Sequence, residues 1–109
     1  MQLTEHQILQ IQTRIKIYLN KTIILVNTMG DKSISSDSRE SQFNIYCIDE
    51  NNNIVWQASE NRNPEFLHGD TFCYLGQNEK GEIVADRFSG FEYKINPDTG
   101  EATQIGFHK

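Results

Sequence analysis

Short apolar–polar runs, broken about every eight to twelve positions by Asn, Asp, Gly or Ser, fill most of this chain, which is the pattern of consecutive short strands. Residues 9–19 alternate: Leu9, Ile11, Ile15, Ile17 and Leu19 share one face, and Gln10, Gln12, Arg14 and Lys16 the other. That is the period of a half-buried strand. A helix competes at its start, because Thr4-x-x-Gln7 resembles a capping box and Ile8, Ile11, Ile15 and Leu19 keep helical spacing. The strand is the favoured reading, with room for a helical turn over residues 4–8. Asn20-Lys21 then predicts a tight turn. Thr22 to Val26 predicts a strand that is apolar on both faces and therefore central. Residues 29–42 are polar, Ser-rich and without period, which predicts a long mobile loop.

The remaining chain predicts hairpins: Phe43–Asp49 with Ile54–Ala58, Phe72–Gln77 with Glu82–Phe88, and Phe91–Asn96 with Ala102–Phe107. Phe91, Tyr93 and Ile95 share a face, and Thr103, Ile105 and Phe107 are expected to do the same. Asn63-Pro64-Glu65-Phe66-Leu67 fits one helical turn with Asn63 as cap. The turns at 49–53, 77–81 and 96–100 share one grammar, polar residues followed by an Asn or Gly that tolerates positive φ. The expected fold is all-β: about eight short antiparallel strands in consecutive hairpins, as a sandwich, barrel or meander. Ile24, Val26, Ile45, Ile54, Trp56, Tyr93 and Ile95 are its expected core.

The 109 residues, 37% apolar and 23% charged, fit one globular domain spanning 1–109. No run approaches the roughly 18 to 20 apolar residues of a membrane helix, and Met1-Gln2-Leu3-Thr4-Glu5-His6 is not a secretory n-region. A cytoplasmic location is the expectation. Cys47 and Cys73 are too far apart for a CxxC element and read as buried thiols. A net charge of −5 disfavours direct contact with nucleic acid and suits a basic protein partner.

Two stretches resemble known families. Asn44-Ile45-Tyr46-Cys47-Ile48-Asp49-Glu50-Asn51-Asn52-Asn53-Ile54-Val55-Trp56-Gln57, and again Phe91-Glu92-Tyr93-Lys94-Ile95-Asn96-Pro97-Asp98-Thr99-Gly100-Glu101, resemble quinoprotein-type propeller repeats. A propeller needs at least about four blades of roughly 40 residues, so the resemblance implies hairpins and no quinone cofactor. From residue 23 onward, Ile54-Val55-Trp56-Gln57, Gly90-Phe91, Tyr93-Lys94-Ile95-Asn96 and Thr99-Gly100 are similar to segments of small β-rich bacterial immunity proteins of contact-dependent growth inhibition systems. That resemblance implies a non-enzymatic protein that blocks a toxin. It carries over no site residues.

No nucleophile elbow, P-loop or dinucleotide fingerprint is present. His6, His68 and His108 are scattered, without ligand spacing. Asp49-x-Asn51-x-Asn53 with Glu60 mimics a calcium loop, but Ile54 stands where that loop needs Gly. No catalytic residue, metal ligand or cofactor is therefore expected. The candidate binding residues are the loop carboxylates Asp31, Asp37, Glu40, Glu60, Glu65 and Asp70, which would meet the cationic active site of a basic toxin, a nuclease as first choice. Alternatives are a small β-barrel or sandwich ligand-binding domain or enzyme, and an adaptor that adds a strand to its partner.

Overall fold

The computed structural model describes residues 1–35, 37–60 and 70–107. In chain order the elements are α1 (Glu5–Leu9), β1 (Ile11–Lys16), β2 (Thr22–Val26), α2 (Arg39–Gln42), β3 (Ile45–Ile48), β4 (Ile54–Gln57), β5 (Ser59–Glu60), β6 (Phe72–Gln77), β7 (Ile83–Arg87), β8 (Phe91–Ile95) and β9 (Glu101–Phe107). The strands form two sheets, β1-β2-β3-β4 and β5-β9-β8-β7-β6. The fold is therefore all-β and two-layered, without a closed barrel. The three hairpins expected from the sequence pair as β3–β4, β6–β7 and β8–β9. The two-residue β5 was not foreseen. It lies parallel to the start of β9, Ser59 opposite Glu101 and Glu60 opposite Ala102, in an otherwise antiparallel fold.

The favoured reading of the N-terminus holds, a helical turn and then a strand, while the competing helix through Ile8, Ile11, Ile15 and Leu19 does not form. Thr4 accepts from the Gln7 backbone N–H while the Gln7 side chain accepts from the Thr4 N–H, a complete capping box. One helical turn follows, and then β1. Ile11, Thr13 and Ile15 are half-buried, but a register shift between Ile11 and Thr13 sets Ile11 opposite Val26, against the outer cluster, while Ile15 packs on the main core. The ends of the predicted alternation join neither. Leu9 closes the helix and Leu19 sits in the turn, and both are exposed. The turn is one residue earlier than expected. Leu19 and Asn20 both take positive φ, 60° and 59°, as a primed hairpin turn requires.

The inner faces of the two sheets share one core: Ile23, Leu25, Ile45, Cys47 and Trp56 from the first, Phe72, Leu75, Ile83, Ala85, Tyr93, Ile95 and Ala102 from the second. β2 is apolar on both faces because both are covered. Ile24 and Val26 face away from the main core, beneath Leu3 and Ile8 of the N-terminal segment, in a second cluster with Tyr46 and Ile48. Six of the seven expected core residues are buried, and Ile54 is half-buried at the margin of the second cluster. On β9 the expected face is corrected. A bulge lets Ala102 align with Ile95 and Phe107 with Phe91, five residues apart on β9 but four on β8. Alternation cannot survive the extra residue, Ile105, which is 54% exposed.

Trp56 ties the sheets together at one end. Its indole N–H donates to the Pro97 carbonyl at 2.9 Å, and its Cε3 edge lies where a Cβ on Gly100 would fall. Gly100 also takes φ of 80°, so the turn needs glycine twice over. The helical turn expected at residues 63–67 lies outside the described residues.

Far-UV circular dichroism should show a strand-dominated protein, because the two helices among the described residues span only five and four residues. A helix share above about a third would contradict this fold. Trp56→Ala should destabilise by about 3–5 kcal/mol in urea denaturation. Gly100→Ala should cost about 2 kcal/mol, from ring overlap and positive φ; an unchanged midpoint in either variant would exclude the Trp56–Gly100 contact.

Candidate functional site

Strand alternation puts Ile83, Ala85 and Arg87 of β7 on the inner face. An arginine is thereby carried into the core, with its side chain fully buried (0% exposed). Its Nη1 donates to the Gln42 carbonyl at 2.6 Å and to the Asp70 carbonyl at 3.4 Å, and its Nη2 to Glu60 Oε1 at 3.2 Å. The guanidinium carbon stands 4.0 Å from the Phe72 ring centroid and 5.3 Å from those of Phe43 and Tyr93. Charge, flat shape and stacking make arginine, not lysine, the residue for such a position. Phe72 and Tyr93 meet edge to face at 5.4 Å beside it.

Asn44 works alongside. Its buried amide donates to the carbonyls of Val26 at 2.7 Å and Phe72 at 2.9 Å, and its Oδ1 accepts from the Phe72 N–H. The end of β2 and the start of β6 are so held together across the sheets.

These anchors frame a cleft of about 430 Å³, lined by Thr28, Met29, Gly30, Asp31, Lys32, Ile34, Ser41, Thr71 and Phe88. Ser41 and Thr71 are the neighbours of Gln42 and Asp70, whose carbonyls Arg87 holds, and Phe88 follows Arg87 directly. The Phe88 N–H donates to the Thr71 carbonyl at 2.8 Å, so this side chain is projected outward at the strand's end and is 69% exposed. Thr71 Oγ1 donates to the Ser41 carbonyl at 2.7 Å and lies 3.2 Å from Thr28 Oγ1. On the opposite wall, Asp31 Oδ1 accepts from the N–H and hydroxyl of Ser33, and Oδ2 pairs with His6 Nε2 of α1 at 2.6 Å. The bond to His6 first, and those from Ser33 next, bring the Asp31 carboxyl down to a pKa of about 2.

The six carboxylates expected to form one acidic surface take different places. Asp31 lines the cleft. Asp37 is exposed on the following loop. Glu40, on α2, accepts from Gln7 Nε2 at 3.2 Å. Glu60 and Asp70 are turned inward. Glu60 is 4% exposed against Arg87, and Asp70 accepts from the N–H and hydroxyl of Ser89, which fixes the turn into β8. Glu65 lies outside the described residues. The calcium-like sequence is a turn whose own amides use its carboxylate, since Asp49 accepts from the N–H groups of Asn51 and Asn53 and from the Asn53 side chain. Among the described residues no three His, Cys, Asp or Glu side chains are grouped to hold a metal, and no helix is long and apolar enough to cross a membrane. Cys47 is buried and Cys73 half-buried, both free, with desolvation pushing both thiols up.

The molecule is thus a two-sheet β domain with an open cleft above a buried arginine. The chain belongs to the family described as a domain of unknown function, DUF7957, whose model matches residues 4–107. No curated protein and no solved structure matches it.

Replacing Arg87 by Leu should cost about 3–5 kcal/mol in chemical denaturation, because the buried Glu60 carboxylate would lose the guanidinium it faces. The double variant Arg87→Leu, Glu60→Leu should recover a large part of that loss; equal destabilisation of both would show that packing, not the Glu60 charge, carries the cost. The Asp31 contacts lower its folded-state pKa. Their contribution is therefore present above the unfolded carboxylate range of about 4 and is lost as pH falls towards about 2. Asp31→Asn should be less stable than wild type at pH 6, and the gap should close between pH 4 and 2.

Proposed function

We propose that this chain is a protein-binding module of the immunity type, which occupies and blocks a basic protein toxin, a nuclease as first choice. The observation that carries the reading is the make-up of residues 28–42. One continuous segment supplies a wall of the cleft, the apolar side chains of exposed Met29 and half-buried Ile34, and the carboxylates Asp31, Asp37 and Glu40. Lys32 and Arg39 lie on the same segment, so its charge is mixed with an acidic excess of one. An apolar centre ringed by charge is how protein interfaces divide their work, contact area for affinity and charge for encounter. The overall charge of −5 supports a cationic partner, and so does the resemblance to small β-rich immunity proteins. The inward-facing Glu60 and Asp70 hold the frame in this reading, and the contact carboxylates are Asp31, Asp37 and Glu40.

A small-ligand binder is the second reading, supported by the cleft volume of about 430 Å³, within the range of ligand pockets.

The experiment mixes the purified domain with the secreted toxin encoded beside its gene and follows toxin activity against molar ratio. Protection should be complete at one to one, without turnover and without covalent change in the toxin. Reversing Asp31, Asp37 and Glu40 together to Lys should slow association, more at low salt than at physiological ionic strength, where charges are screened over about 8 Å. Protection at substoichiometric ratio would indicate an enzyme. No complex and no protection would remove the immunity reading.

A further inference from the structure

The cleft has a chemistry of its own, read from where its hydroxyl protons go. A threonine hydroxyl has one proton and two lone pairs. Thr71 commits its proton to the Ser41 carbonyl, 2.7 Å away. In the 3.2 Å contact between the two threonines the donor is then Thr28. Both hydroxyl protons are spent inside the floor. What Thr28 and Thr71 have left is lone pairs. Both residues are buried, so a ligand reaching them finds acceptors that need a donor.

Asp31 adds to this. A carboxylate accepts about four hydrogen bonds, and three of these positions are taken by the Ser33 N–H, the Ser33 hydroxyl and His6. One remains at the cleft wall. The same cleft is lined by two residues with soft, polarisable side chains, Phe88, 69% exposed, and Met29, 49% exposed. A cation over an aromatic face gains electrostatically, and neither group offers a donor. The opposing feature is the exposed Lys32 in the lining. Its ammonium is on a long flexible stem and can remain in solvent.

We propose that this cleft is a socket for one basic side chain, lysine or arginine, presented by a protein partner. The stem lies along Phe88 and Met29, and the head group donates to Thr28, Thr71 and the open position on Asp31. An anionic or acceptor-only group gains nothing from Thr28, Thr71 or Asp31, which offer it lone pairs and a carboxylate, and is left with the Ser41 hydroxyl and the Lys32 ammonium as donors of the lining. The proposal takes its partner from the binding-module reading above, but its chemistry is testable without any toxin.

The test titrates the ¹⁵N-labelled full chain with n-butylammonium and with ethylguanidinium, using 1-butanol and butyrate as controls of similar size. The two cations should give saturable amide shifts centred on residues 28–32, 71 and 88, and the controls should give none. Asp31→Asn should weaken cation binding about tenfold, and Phe88→Ala about threefold, each variant first shown to be folded by its own spectrum. Lys32→Gln should strengthen binding about twofold by removing a like charge, an effect that mere loosening of the loop would not produce. Equal shifts with butanol, shifts scattered over surface carboxylates, or unchanged affinity in Asp31→Asn would each overturn the socket. Cation binding without toxin protection would overturn the immunity reading and leave the socket. Toxin protection without cation binding would overturn the socket alone.

Discussion

A buried guanidinium constrains this fold more than any other group. It does not give up its proton inside a protein, and desolvating it costs several kcal/mol unless partners surround it. Arg87 finds them in three separate segments: the Gln42 carbonyl at the end of α2, the Asp70 carbonyl before β6, and the Glu60 carboxylate on β5. The aromatic rings of Phe72, Phe43 and Tyr93 fill the directions in which no polar partner stands. Among the described residues the Nε–H has no hydrogen-bond partner, and the contacts fall on the guanidinium tip and its faces.

Glu60 must be delivered to that tip, and the delivery is made from the other sheet. β4 continues through Ala58, whose N–H donates to the Ile45 carbonyl, into Ser59, whose N–H donates to the Gly100 carbonyl. At that point the chain leaves one sheet and joins the other as β5, parallel to β9. Trp56 sits just upstream, against Gly100 and bonded to Pro97, which places the crossing. The short parallel pair is thus a means of carrying a carboxylate from the first sheet into the interior beside the second. The cost of burying an ion pair is met here by position: each partner is already held by a strand before the two meet, so little freedom remains to be lost.

Much of this was legible in order and little of it in depth. The strand pairs followed from alternation and turn residues, because hairpins are local: Asn52, Gly81 and Gly100 take the positive φ their turns require, 64°, 79° and 80°. The capping box was legible for the same reason. Faces failed where register slips. Alternation alone cannot report the bulge that turns Ile105 out and aligns Phe107 with Phe91. The site was half legible. Asp31 could be read as a loop carboxylate, but its bond to His6 spans 25 positions, and nothing local marks it. Arg87 did carry a signal, for it continues the inward phase of Ile83 and Ala85 in the sequence. An arginine in phase with a strand's apolar face demands a buried partner, and that demand would have drawn Glu60 away from the surface carboxylates.

The same anchor governs what the cleft can do. Its floor is set by Ser41, Thr71 and Phe88, each next to a residue that Arg87 positions or is, while its far wall is the loop carrying Met29, Asp31 and Lys32. Floor and wall differ in how they are held. The floor hangs on buried hydrogen bonds and ring stacking. The wall is tied to α1 through the exposed His6–Asp31 pair and otherwise through short-range bonds of Ser33, Thr28 and Asn27. In the proposed socket a partner group would meet acceptors that are already in place, and ordering would fall mainly on the loop. Preorganised floors favour slow release, and adjustable rims tolerate variation in the partner. Division of this kind suits a domain that must recognise a fixed chemical feature on a surface that varies around it.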